Sequence, residues 1–355
     1  AMENWGCISY RENALLVDPE NSSIQTKQLV AAIIAHEMAH MWFGDLVTMN
    51  WWNDLWLNES FASWMGDKAI SKLFPEWDIW TKFLLDDTNR AFELDALDSS
   101  HPIEQEVKNP DEIGQLFDAI SYSKGASLIR MLENILSLKG FLKGFKYYIK
   151  KYDGKAATCE DFVSSMEVSN NTNLKQFYLW YSQAGTPEIK ILPSYNVKKK
   201  KLILKIKQSI PDTPKQKNKK AMLIPLKLSF FDSNGKRLFI DKDNSKKELT
   251  IILKNKSHTL YYENIKESPA ISINRGFTSP VKINLKQDKN KLKILMMHDN
   301  DPFKKWDSIN KYLLDLCTRQ SKTPNTIKVD KFFITVIKDI LLNAEDDPAF
   351  TAELL

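Results

Sequence analysis

Within His36-Glu37-Met38-Ala39-His40 two imidazoles are spaced four residues apart, and eighteen residues then separate His40 from the carboxylate of Glu59. On a helix, positions i and i+4 share a face, so His36 and His40 offer two nitrogens to one point in space. Glu37 leans over the same face, within reach of a water held there. Glu59 is the candidate third ligand. Two imidazoles and a carboxylate with one position left open is the arrangement of catalytic rather than structural zinc, one ion per chain. Such a site lowers the pKa of water to roughly 7 and polarises a carbonyl, while the adjacent glutamate takes the proton. The competing reading is two core histidines four apart by coincidence. A chance match to the five-residue pattern has odds of about one in several hundred when the chain holds only 5 His.

Positioning these groups takes two helices. Leu29, Ala32 and Ile33 predict a first helix over residues 24–43, ended by Gly44-Asp45. Residues 51–73, with Phe61, Ala62, Trp64, Met65, Ala69 and Ile70 at helical spacing, predict a second that packs on it. Pro75 opens the next element, where its missing N–H does no harm. Residues 78–94 read as another amphipathic helix, followed by a loop with Pro102 and Pro110. Beyond Ile120-Ser121-Tyr122 the stripe Leu128, Met131, Leu132, Ile135 and Leu136 is helical, and further helices fit 141–151, 160–168 and 174–184. Ahead of them, residues 7–10 and 14–17 read as two short strands, a pair too small to stand without a larger sheet.

At Gly185-Thr186-Pro187 the apolar period falls from near 3.6 to 2. Leu202, Leu204 and Ile206 alternate with lysines, and similar alternation runs through residues 222–230, 249–253, 271–273 and 281–285. With turns such as Asp232-Ser233-Asn234-Gly235, this predicts a small antiparallel β-sandwich. From Asp301 helices return, one with Trp306, Ile309, Leu313 and Leu316 on a face, the next with Phe332, Phe333, Val336, Ile337 and Ile340.

The length, 355 residues at 43% hydrophobic, allows more than one core. Residues 1–150 hold 13 of the 50 Lys+Arg but 22 of the 45 Asp+Glu, so the half with the histidines is acidic and the remainder basic. An acidic catalytic half favours a cationic ligand such as the amino end of a peptide. The lysine runs 198–201 and 215–220 lack any aromatic ladder or nucleic-acid motif and read as polar faces and turns. Cys7, Cys159 and Cys317, far apart and odd in number, form neither a disulfide framework nor a second metal site, which points to a reducing compartment, the cytoplasm. No apolar run has transmembrane length and no signal peptide is visible.

With these motifs the chain resembles the zinc aminopeptidase (gluzincin) family that includes aminopeptidase N, puromycin-sensitive aminopeptidase and leukotriene A4 hydrolase. Ala1-Met2-Glu3-Asn4 matches the exopeptidase signature without its leading glycine, His36-Glu37-x-x-His40 with Glu59 matches the metal motif, and Tyr122 lies in Tyr-Ser-Lys-Gly-Ala. Residues 36–136 look most like the puromycin-sensitive branch, whereas 180–187, 273–277 and 299–303 look like bacterial alanyl aminopeptidase N, which suggests a seam near residues 150–160.

The resemblance implies an α+β multidomain fragment: a mostly helical, thermolysin-like catalytic domain over 1–184, an antiparallel β-sandwich over 185–286 and the start of an α-helical domain over 287–355. The family's N-terminal β-domain, the first strands of the catalytic sheet and most of the helical domain fall outside this sequence. It implies zinc ligation by His36, His40 and Glu59, Glu37 as general base, Tyr122 as the hydroxyl that stabilises the tetrahedral intermediate, and Glu3 as the carboxylate holding a substrate's α-ammonium. Ala1, Met2 and Asn4 belong to the same substrate-binding stretch. The expected activity is removal of single N-terminal residues from peptides with a free amino end, by a protein that is monomeric when intact. Its rivals are an endopeptidase or epoxide hydrolase built on the same frame, and an inactive fragment acting only as a folded or binding module.

Overall fold

Ser23 starts the first helix by accepting a hydrogen bond from the N–H of Thr26 at 3.1 Å, and α1 runs Ile24–Ala39. The computed structural model describes residues 1–241, 243, 245–322, 330–345 and 347–354. The expected helical segment 287–355 therefore includes positions outside the described residues. The chain divides into two compact units, one of Ala1–Pro187, Ile210–Leu223 and Ser279–Val281, the other of Glu188–Ser209, Ile224–Thr278 and Lys282–Leu355.

In the first unit α1 ends four residues earlier than expected. His40 is its C-cap, Phe43 bridges to Val47, and Gly44 turns the chain at φ +137°. Strand β1 (Val47–Met49) and a 3₁₀ turn over Trp52–Asp54 lead into α2 (Trp56–Leu73), so the second helix starts later than residue 51. The two helices approach closely at Gly66, where an added Cβ would stand 3.1 Å from the backbone N of His36 and 3.3 Å from the carbonyl carbon of Ala35. Only glycine leaves the His36 turn undisturbed there.

The helix expected over 78–94 is interrupted. It forms α3 (Ile79–Lys82), a π-helical stretch over Phe83–Asp87, and α4 (Thr88–Asp95). A second π-helical stretch, Ile120–Lys124, carries Tyr122 and continues into α5 (Gly125–Tyr152), which breaks at Ser137 (φ 63°, ψ 160°), between the two helices that the periodicity predicts. Strand β2 (Lys155–Ala157) pairs in parallel with β1, α6 (Cys159–Asn170) is held by a Thr158/Asp161 capping box, and α7 covers only Leu179–Ser182 of the predicted 174–184. The two strands expected over 7–10 and 14–17 do not form. Met2 and Ser9 make a single antiparallel bridge, and Glu12–Ala14 curls into a 3₁₀ turn.

The core of this unit is aromatic and lies directly behind the metal motif. Trp56 stacks on Tyr181 with ring centres 4.2 Å apart, Phe43 on Phe61 at 4.4 Å, and Phe162 meets Phe61 edge-on at 5.0 Å. Glu59 sits between Trp56 and Phe61 in sequence, so the packing that buries both rings sets the rotation of α2 and aims the carboxylate.

The second unit contains strands β3 (Glu188–Asn196), β4 (Lys201–Ser209), β5 (Ile224–Phe231), β6 (Leu249–Leu253), β7 (Ser257–Tyr262), β8 (Ala270–Ile273) and β9 (Lys282–Leu285). They form a four-stranded sheet of order β7-β4-β3-β9 and a three-stranded sheet of order β6-β5-β8, antiparallel throughout except for β3 with β9. In β4 the residues Leu202, Leu204 and Ile206 point inward while Lys205 and Lys207 stay outside and Ile203 is half-buried, as the period of 2 requires. Strands β3 and β7 were not anticipated.

Helices α8 (Lys289–His298), α9 (Pro302–Ser321) and α10 (Lys331–Leu342) each start at an aspartate cap, Asp288, Asp301 and Asp330, and α11 (Pro348–Leu354) follows. Met296, Ile309, Tyr312, Val336 and Ile340 form their shared core. On α9 it is Tyr312 rather than the expected Leu313 that turns inward, and Leu313 is exposed. Among the described residues, no helix is long and apolar enough to cross a membrane.

Candidate metal centre

The last turn of α1 and the first turn of α2 bring three donor atoms together. His36 Nε2 lies 3.0 Å from His40 Nε2 and 3.1 Å from Glu59 Oε2, and His40 Nε2 lies 3.5 Å from the same oxygen. Donor atoms held 2.0–2.1 Å from a tetrahedral ion are about 3.3 Å apart, so this triangle has the edge length of one face of such a tetrahedron.

The tautomers agree with that fit. His40 Nδ1 is 2.8 Å from the carbonyl of Phe43, which can only accept, so Nδ1 carries the proton and Nε2 presents a bare lone pair. Ser63 places its hydroxyl 3.4 Å from His36 Nδ1, an acceptor for the corresponding proton. In these tautomers three lone pairs converge on one point, an arrangement that a divalent cation relieves; without the cation, protons on His36 and His40 face Glu59 instead. Burial opposes the charge of Glu59, yet the hydrogen bonds and charges of His36 and His40 hold its pKa down at about 2. Desolvation disfavours protonated His40, but Glu59 outweighs it and raises the pKa.

Glu37 is not a member of the triangle. It is buried, and its Oε2 makes no hydrogen bond among the described residues. Desolvation and the nearby Glu3 push its pKa up, against the pull of His36 and His40. A carboxylate held this way lacks a partner, which a proton or a protonated ligand supplies. Glu3 reaches the same place from the N-terminal segment, with Oε1 4.0 Å from His40 Nδ1, and Glu3, Glu37 and His40 bring ligand-type atoms within 4.8 Å of one another.

Tyr122 stacks on His36, with ring centres 5.9 Å apart and planes 17° from parallel. Burial and the proximity of Glu59, Glu3 and Glu37 raise its pKa, so its hydroxyl keeps its proton. The π-helical turn that presents it is tied down on both sides. Asp118 accepts from the N–H groups of Ile120 and Ser121 at 2.9 and 3.0 Å, and the Ser60 hydroxyl donates to the Ser121 carbonyl. Gly125 packs so tightly on Ser60 that a Cβ would fall 1.9 Å from its Oγ.

Of the residues singled out from sequence, His36, Glu37, His40, Glu59, Tyr122 and Glu3 are thus gathered. Met2 is spent on its bridge to Ser9, Asn4 accepts from Cys7 N in an exposed turn, and Ala1 is exposed. Sequence reasoning missed Ser63 and the Phe43 carbonyl. Ser63 stood one helical turn beyond Glu59 on the same face, a spacing that could have found it.

Two imidazoles at i and i+4 with an intervening free glutamate define the metallopeptidase class of site. Residues 1–181 match the Peptidase family M1 domain, 185–286 a domain of unknown function (DUF3458) with an Ig-like fold, and 289–355 its C-terminal partner (DUF3458_C) of ARM repeats. The chain belongs to peptidase family M1. It is 40% identical over 265 residues to the alanine/arginine aminopeptidase of Saccharomyces cerevisiae, covering 74% of this chain and 29% of that protein. It is 50% identical over 190 residues to probable aminopeptidase 2 of Sulfurisphaera tokodaii, covering 53% of this chain and 24% of that protein. The chain therefore spans about a quarter of the length of these curated relatives. The crystal structure of Legionella pneumophila aminopeptidase A in complex with aspartic acid superposes on 97% of this chain and 37% of its own, with TM-score 0.81 at 24% identity, a likeness of fold.

Proposed function

We propose that the chain carries the catalytic part of a zinc aminopeptidase that removes one residue at a time from the free amino end of peptides. The observation that carries this reading is the grouping of Glu3 with Glu37 and His40. A carboxylate placed there suits an α-ammonium and leaves only the first peptide bond beside Glu37.

His36, His40 and Glu59 would hold the ion. Zinc so held supplies a Lewis acid that lowers the pKa of water to about 7 and polarises a carbonyl. Glu3 fixes the substrate's ammonium, which turns position into specificity. Glu37 takes the proton of the attacking water and later delivers it to the leaving amine. The Tyr122 hydroxyl donates a hydrogen bond to the carbonyl oxygen as charge develops on it. An endopeptidase substrate has no free α-ammonium at the scissile residue for the Glu3 carboxylate to hold.

We take the catalytic domain as residues 1–184, the sandwich as 185–286 and the helical start as 287–355, and read the protein as a cytoplasmic monomer when intact; Cys7, Cys159 and Cys317 are all free thiols, in keeping with a reducing compartment. We also keep the mosaic reading, puromycin-sensitive type before residues 150–160 and bacterial type after. Across that join the packing is continuous, with β2 on β1 and the Tyr152 hydroxyl donating to Asp161 at 2.6 Å.

Metal analysis combined with free and N-acetylated aminoacyl reporter peptides tests the function. One zinc per chain and cleavage of the free peptides alone is the expected result. Equal cleavage of acetylated peptides removes the role given to Glu3. The second reading, a folded but inactive module, is favoured by the exposed apolar side chains Met38 and Trp42, at and just after the end of α1, and Leu73 and Phe74, at and just after the end of α2. A monodisperse sample with neither zinc nor turnover decides for it.

A further inference from the structure

A cavity of about 310 Å³ lies against the metal centre, and its far wall is acidic. His36, Glu37 and Tyr122 form its near side, whereas Asp67 and Asp87 line it one turn further along α2 and on the π-helical stretch after α3. Glu59, Ser63 and Asp67 follow one another at intervals of four on α2, so the face that supplies a ligand also supplies the acid. Phe83 and Asp87, the first and last residues of the π-helical stretch, line the cavity as well.

Neither acid has a cationic partner within salt-bridge distance among the described residues. Lys82, whose charge acts on both, donates its amine to Gln28 at 3.3 Å. Asp67 makes no hydrogen bond among the described residues, and desolvation, reinforced by the charge of Asp87, lifts its pKa to about 8. Desolvation also raises Asp87, against the pull of Arg90 and a hydrogen bond with Ser123. Two carboxyl groups lining one cavity, each with only the longer-range pull of Lys82 or Arg90 and no cation in contact among the described residues, make a good receptor for a cation.

The position of the cavity says which part of a peptide enters it. Glu3 lies on the His40 side of the centre, 4.0 Å from His40 Nδ1, while the cavity lies on the side of His36, Ser63 and Tyr122. With the amino end of a peptide at Glu3 and its first peptide bond beside Glu37, which lines the cavity, the second residue is the one placed to enter it. We propose that Asp67 and Asp87 select substrates with Lys or Arg at the second position, the residue released with the new amino end. This rests on the aminopeptidase reading and adds to it a preference on the leaving side.

The test compares peptides that differ only at the second residue, Arg, Ala or Glu, on the zinc-loaded protein and on the near-isosteric variants Asp67→Asn and Asp87→Asn, each checked for a cooperative thermal transition. The wild type is expected to favour Arg over Ala by about tenfold or more in kcat/KM, and each variant to lose most of that ratio. Turnover with equal rates for Arg and Ala overturns the proposal, as does a basic preference at the first position instead of the second. In parallel, n-butylguanidinium binding is measured by calorimetry on the same proteins without any reaction. Binding that weakens about tenfold in Asp67→Asn supports the acidic receptor even if no peptide is cleaved, which separates a failure of the aminopeptidase reading from a failure of this one. Binding unchanged by both substitutions overturns it.

Discussion

Lys124 and Asp95 form a salt bridge of 2.8 Å with their side chains 4% and 0% exposed. Lys124 closes the π-helical stretch that carries Tyr122, and Asp95 closes α4. Desolvation works against the charge on Asp95. Lys124, Thr186 and Ser100 nevertheless hold its pKa below the ordinary carboxylate range, and Gly185 N adds a bond of 3.0 Å. Removing one partner leaves the other charge buried and unpaired, so Lys124→Met is expected to cost about 3–5 kcal/mol in denaturant unfolding. The double variant Lys124→Met/Asp95→Asn should recover part of that loss. A single variant as stable as the wild type would show that the pair holds nothing in place.

Tyr122 tests the chemistry rather than the frame. Tyr122→Phe keeps the ring that stacks on His36 and deletes only the hydroxyl. Zinc content should stay the same while kcat falls by about 10²- to 10³-fold, the usual effect of losing one oxyanion donor. Full activity in the variant would reassign Tyr122 to packing.

The metal motif was legible because two ligands and the base lie within one helical turn, and i, i+4 geometry does not depend on the rest of the fold. The β-sandwich was legible in part. Leu202, Leu204 and Ile206 recur at every second position beside Lys205 and Lys207, which exposes the period, whereas β3 holds Pro193 within the strand and the apolar Leu192 on its outer face, which hides the alternation in the sequence. The predicted strands 7–10 and 14–17 do not form because a pair that small needs a sheet to join: among the described residues the single Met2–Ser9 bridge has no neighbouring strand to extend it. The π-helical stretches at Phe83–Asp87 and Ile120–Lys124 have no compositional mark at all, since each inserts one residue into an otherwise helical pattern. They matter most for the site, because one presents Tyr122 and the other Asp87.

Metal should couple to stability. With three lone pairs facing one point, zinc binds the folded chain and not the unfolded one, so a free zinc concentration about a thousandfold above Kd adds roughly 4 kcal/mol and raises Tm. A chelator should reverse the rise. His40→Ala should abolish it, whereas Glu37→Gln should keep the thermal shift and lose turnover, because Glu37 stands outside the triangle. A His40→Ala protein stabilised by zinc as strongly as the wild type would place the ion elsewhere.

Asp54 gives a pH dependence that is separate from the metal centre. Its Oδ1 accepts from Cys159 N at 3.0 Å, but burial dominates, with Glu104, Glu160 and Asp161 adding repulsion, and its pKa rises from 3.8 to about 7. Between these two values the folded state binds more protons than the unfolded state, so stability falls as pH rises through that window and levels off above pH 7. The loss due to this residue is about 2 kcal/mol after allowing for solvent screening. Asn at position 54 keeps an oxygen for Cys159 N and cannot ionise. Asp54→Asn should therefore flatten the slope of unfolding free energy between pH 4 and pH 7 and exceed the wild type in stability at pH 8. Parallel profiles for the two proteins would mean that water or a neighbouring group already compensates the charge, and that the fold tolerates an ionised Asp54 at no cost.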